Sequence, residues 1–211
     1  MGTTTAADDA AVRRLLRRLE EIAGSLATDG RGLALLGLGS VGVERDRLDR
    51  WSDLDFFAVV EPGAKAAMLE DLTWLTAIAP VDHAFRNTPD GYKLLYADGV
   101  FCEFAVFEPQ ELPGIPFTPG HVVWARDDVD RSLLHPSRPA PAPAPADVAW
   151  STGEALTNLY VGLGRYHRGE RLAAARLVQQ HAVDRVLEIA ATLEPPTTAP
   201  ADPFAPERRA E

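Results

Sequence analysis

Cysteine is nearly absent. The chain has one, Cys102, in 211 residues, which excludes an internal disulfide framework. Its five histidines show none of the paired Cys/His spacing of a structural zinc site. Both absences suit a reducing cytosol, so the expected location is cytoplasmic. Basic charge is the scarcer sign, with 21 Lys and Arg against 31 Asp and Glu and a net charge of -10. A basic surface for nonspecific nucleic-acid binding is therefore not expected. Long hydrophobic runs are missing as well. No stretch approaches the roughly 18 apolar residues that span a bilayer, and the opening MGTTTAADDA lacks the apolar core of a secretory signal. No membrane partner is expected. What is present, 46% hydrophobic and 25% charged residues, is the balance of a chain that folds around a core.

Apolar residues at 12, 15, 16, 19, 22, 23 and 26 recur at helical spacing, so the opening segment predicts an amphipathic helix ended by Gly30-Arg31-Gly32. A short strand follows over 33–38, then a charged loop over 43–52, then a strand over 54–60. The apolar positions 67, 68, 72, 75 and 78 predict one helix between Pro62-Gly63 and Pro80. Beyond it come strands over 81–85, 92–96 and 100–107. The cluster 87–91 reads as a turn, and Asp98-Gly99 as the tight turn of an antiparallel hairpin. HVVWARDD reads as a last edge strand or an extended crossing. The fold class expected is α/β in the α+β sense, a mixed sheet flanked by helices and followed by a C-terminal helical hairpin. Residues 1–135 form the sheet domain, 136–146 a Pro/Ala-rich linker, 147–194 the helical region and 195–211 a disordered tail.

The stretch 33–60, LALLGLGSVGVERDRLDRWSDLDFFAVV, concentrates the chemistry. Gly37, Gly39 and Gly42 match G-x-G-x-x-G after a strand, but ERDRLDRWSD lacks the apolar helix face that a dinucleotide site needs, and that reading is rejected. The better reading joins Gly39 and Ser40, small residues that let backbone amides approach phosphate, to Asp53 and Asp55. Spaced two apart on a strand, these carboxylates project from one face. Glu103, alone in the apolar strand VFCEFAVF, needs a positive partner or a metal. The structural alternatives are that Asp53 caps a strand start with Ser52, that Gly39-Ser40 is an ordinary turn, and that Glu103 pairs with Arg86 or Lys93.

With its strand, Gly-Ser, loop, acid-hydrophobic-acid triplet and later acidic strand, the sequence resembles the nucleotidyltransferase superfamily. The 13-residue spacing from Ser40 to Asp53 is similar to that of streptomycin-type aminoglycoside adenylyltransferases, and GVFCEFAVF looks like the third-acid strand of small lincosamide nucleotidyltransferases. The resemblance implies transfer of AMP, or another NMP, from ATP or another NTP to a hydroxyl of a small molecule such as an aminoglycoside or lincosamide antibiotic, hence a resistance role. It implies Asp53, Asp55 and Glu103 as catalytic and metal residues around Mg²⁺, Glu103 being metal ligand or general base, and Gly39 and Ser40 as nucleotide-binding. Relatives of this kind often run longer, which implies a shortened member or a fragment. The other expectations are a protein-AMPylating enzyme of antitoxin type, and a catalytically silent nucleotide- or partner-binding protein.

Overall fold

The computed structural model describes residues 6–138 and 146–193. The expected linker lies outside them over 139–145, and the expected tail at 195–211 lies wholly outside. The chain divides into two compact units, Met1–Pro139 and Ala140–Glu211.

Helix α1 (Ala6–Asp29) carries Asp8 and Asp9 in its first turn, where carboxylates complement the helix dipole. Its stripe of Leu15, Leu19, Ile22, Ala23 and Leu26 is buried. Six strands make one sheet: β1 (Gly32–Gly37), β2 (Leu54–Val60), β3 (Val81–Thr88), β4 (Gly91–Tyr96), β5 (Phe101–Phe107) and β6 (His121–Ala125), in the order β3-β4-β5-β2-β1-β6. The β2–β5 pair is parallel and every other pair antiparallel. This is the mixed α+β sheet expected. Because β1 and β2 are antiparallel neighbours joined by a loop, the β-α-β crossover of a dinucleotide site is absent between them, in keeping with its rejection above.

Two cores sandwich the central strands. One gathers the α1 stripe with Leu35, Leu54, Phe56, Ala58, Leu94, Tyr96, Cys102 and Phe104. The other sets Leu33, Leu36, Val59 and Phe107 against Leu112, Phe117 and Leu134. The second core covers the final residues of β2 and β5 and leaves the beginnings of both strands accessible on that face.

Three expectations change. The single helix before β3 is two, α2 (Lys65–Glu70) and α3 (Thr73–Thr76). Asp71 breaks it, taking extended backbone angles (φ -118°, ψ 104°) while its carboxylate accepts from the Thr73 amide at 2.9 Å and from the Thr73 hydroxyl. Asp side chains compete in this way with helix continuation. Strand β3 runs to Thr88, into the segment 87–91 expected to be a turn, because pairing with β4 overrides the polar composition. In the second unit, α4 (Val148–His167) is capped by Asp147, whose Oδ1 accepts from the Ala149 and Trp150 amides. The expected second helix is α5 (Arg171–Arg176), a π-helical turn (Leu177–His181) and α6 (Ala182–Leu193) in succession.

Candidate functional site

The first part of the site is the turn after β1. Gly39 to Val41 form a single 3₁₀ turn, clipped to the next strand by a 2.8 Å hydrogen bond from the Leu38 amide to the Asp55 carbonyl. Its glycines are there for steric reasons. A Cβ on Gly37 would stand 2.7 Å from the Val41 carbonyl oxygen, and one on Gly42 equally close to that of Gly37, so the turn folds back on itself too tightly for side chains. Gly39 has φ +52°, a left-handed conformation that L-residues disfavour. Where its Cβ would be, the nearest neighbour is Asp55 Oδ2 at 3.6 Å. The turn thus brings a side-chain-free notch against one carboxylate. Ser40 sits in the same turn, partly buried.

Asp53 stands one residue before β2, and Asp55 is its second residue. Leu54 and Phe56 are fully buried toward α1 while Asp53 and Asp55 are only partly buried, the alternation expected of a pleated strand. Both carboxylates act on the same buried sulfur. Burial pushes the Cys102 thiol up to about 12; Arg18 opposes this, and Asp53 and Asp55 add to it.

Glu103 is brought beside Asp55 by register. In the parallel β2–β5 pairing Asp55 stands opposite Glu103, so their side chains share a face. The Glu103 side chain is 42% exposed and already partnered: Lys93 Nζ lies 3.1 Å from Oε2, and Asn87 Nδ2 donates to Oε1 at 3.0 Å. The Lys93 alternative named from sequence is therefore realised, while Arg86 instead donates to the carbonyls of Thr88 and Pro89 at the β3–β4 turn. Among the described residues, no group of three or more His, Cys, Asp or Glu is gathered as a metal cluster. The structure places Asp55 beside Glu103 and beside Gly39, without a three-acid cage.

Sequence reasoning missed Asn87, which it assigned to a turn. Asn87 is the extra residue of an irregularity between Arg86 and Thr88 in the pairing of β3 with β4, a feature that simple strand alternation does not show. His121 is exposed at the start of β6 opposite Gly37, at the base of the glycine turn. Trp51 is 79% exposed with the Arg50 guanidinium 4.5 Å from its ring centroid. Arg47 is paired with Glu44 and Arg50 with Asp8. Tyr160 and Tyr166 are exposed on α4, where Arg165 pairs with Glu170. Among the described residues no helix is long and apolar enough to cross a membrane.

No model of a known protein family matches the sequence, and no curated protein matches it. Among solved structures the chain is similar to an aminoglycoside 6-adenyltransferase from Bacillus subtilis, at 13% identity and a TM-score of 0.31, over 82% of this chain. The chain spans 66% of the length of that structure.

Proposed function

We propose that the chain is a metal-dependent nucleotidyltransferase that moves a nucleoside monophosphate, AMP in the first instance, from an NTP to a hydroxyl of a small molecule. The observation that carries this reading is the notch at Gly39 against Asp55, with Asp53 two residues before it and Glu103 paired beside it on an accessible sheet face.

Mg²⁺ is bound by proteins through one or two carboxylates, with substrate phosphates and water completing its shell. Asp53 and Asp55 fit that demand without a third protein ligand. The ion, when bound, would neutralise the triphosphate and the pyrophosphate leaving group. The chain's own part is to approach and orient. The bare backbone at Gly39 lets the phosphates come close to the Asp55 carboxylate, and the Ser40 hydroxyl with the Gly39 and Ser40 amides would supply donors for phosphate oxygens, the Leu38, Val41 and Gly42 amides being engaged with backbone carbonyls. Glu103 stands where it would accept the proton of the attacking hydroxyl as the bond to the α-phosphorus forms and pyrophosphate departs. Binding both substrates on one rigid sheet face turns the encounter into a positioned reaction.

The test is pyrophosphate release from each of the four NTPs with Mg²⁺ and a panel of aminoglycosides, lincosamides and simple polyols. Asp53→Asn and Asp55→Asn should each lower turnover by roughly a hundredfold or more. Equal turnover by the wild type and both variants would sink the reading.

A further inference from the structure

We propose that Lys93 and Asn87 are positioning residues that hold the Glu103 carboxylate out of the metal's coordination shell and turned toward the acceptor, so that Asp53 and Asp55 are the protein's whole metal set. The inference rests on the nucleotidyl-transfer reading above. Phe85, Lys93, Glu103 and Asp55 are successive cross-strand partners on β3, β4, β5 and β2. They form one row of side chains on one face.

Within the row, the charges run from a cation near the sheet edge to two acids at its centre. Both Glu103 oxygens are engaged, Oε2 by Lys93 at 3.1 Å and Oε1 by Asn87 at 3.0 Å. Both donors come from the β3–β4 side, opposite to Asp55, so the carboxylate is drawn toward the edge. If Glu103 kept these contacts and also ligated an ion shared with Asp55, the Lys93 ammonium would be held within a few ångströms of a divalent cation. Like charges at that range repel strongly in a partly desolvated site.

Asn87 points the same way. Its Oδ1 is buried with no hydrogen-bond partner among the described residues, while its amino group goes to Glu103. Reversing the amide would set its oxygen against a carboxylate, so the contact with Glu103 fixes its orientation. On the far side of Lys93, Phe85 is 47% exposed with the His83 ring 5.6 Å away. Glu103 is therefore drawn toward an open, ring-bearing patch suited to an acceptor's carbon skeleton, not toward the phosphates.

The test is Mn²⁺ affinity, read by electron paramagnetic resonance on the full chain with a non-hydrolysable ATP analogue. Glu103→Gln should bind Mn²⁺ within about twofold of the wild type, whereas Asp55→Asn should weaken it by roughly tenfold or more. Lys93→Met should tighten Mn²⁺ binding, because the released Glu103 can then join the shell. That gain should vanish in the Lys93→Met, Glu103→Gln double variant, and Lys93→Arg should stay at the wild-type value. Circular dichroism confirms that each variant is folded. A Glu103→Gln loss as large as that of Asp55→Asn overturns this proposal and leaves the transfer reading standing, and so does an unchanged affinity in Lys93→Met. Affinity insensitive to Asp53, Asp55 and Glu103 alike overturns both.

Discussion

Replacing Gly39 by alanine separates two consequences of the turn after β1. Gly39 has φ +52°, and forcing an L-residue into that region costs roughly 1–2 kcal/mol. Collision adds little, because the added Cβ would meet only Asp55 Oδ2 at 3.6 Å, an ordinary contact. For a chain of this size about 1 kcal/mol corresponds to roughly 2–4 °C in Tm, so Gly39→Ala should melt about 2–8 °C below the wild type. Asparagine tolerates the left-handed region better than alanine, so Gly39→Asn should recover part of that loss. Both variants fill the notch beside Asp55, so both should weaken nucleotide binding, the larger asparagine more. Melting followed by circular dichroism, with nucleotide affinity by calorimetry, reads the two effects separately. An alanine variant that melts with the wild type would refute the backbone argument. An asparagine variant with improved stability and intact nucleotide affinity would refute the notch.

Phe104, 3% exposed, stacks near Phe56 at 5.1 Å and meets Trp74 edge-on at 5.6 Å; Phe104→Ala should cost about 3–5 kcal/mol in urea unfolding. Burial holds the Cys102 thiol at about 12 against an ordinary 9.0. The folded state therefore keeps its proton where the unfolded chain loses it, and this contribution is whole below pH 9 and lost as pH rises from 9 to 12. The urea midpoint should fall across that window and fall less in Cys102→Ala, while Ellman's reagent should react with the native chain at pH 8 far more slowly than with the unfolded one. Asp147 caps α4 through two amides, and Asp147→Ala should cost about 1 kcal/mol, read as reduced hydrogen-exchange protection in the first turn of α4.

Much of the fold was legible because its signals are local. The α1 stripe needs only 3.6-residue spacing, β2 was read at 54–60 as it occurs, and Asp98-Gly99 marked its hairpin because Gly99 takes φ +84°. Asp53 and Asp55 could be set on one face from parity alone. The break at Asp71 was missed because the apolar positions on either side of it still fit one helix. A side-chain hydrogen bond to Thr73 decided between one helix and two.

Sequence by itself determined the buried stripe of α1, the strands β1 and β2 on either side of the charged loop, and the alternation that separates Asp53 and Asp55 from the buried Leu54 and Phe56. Tertiary structure alone decided which strands became neighbours. The parallel register setting Asp55 opposite Glu103, the β3–β4–β5 row that delivers Lys93 and Asn87 to that carboxylate, and the docking of β6 on β1 all join residues far apart in the chain. Local patterns fix the face on which a residue lies. The partner across the strand is chosen by burial of the whole sheet, since a one-residue slip would turn every apolar side chain to the wrong face.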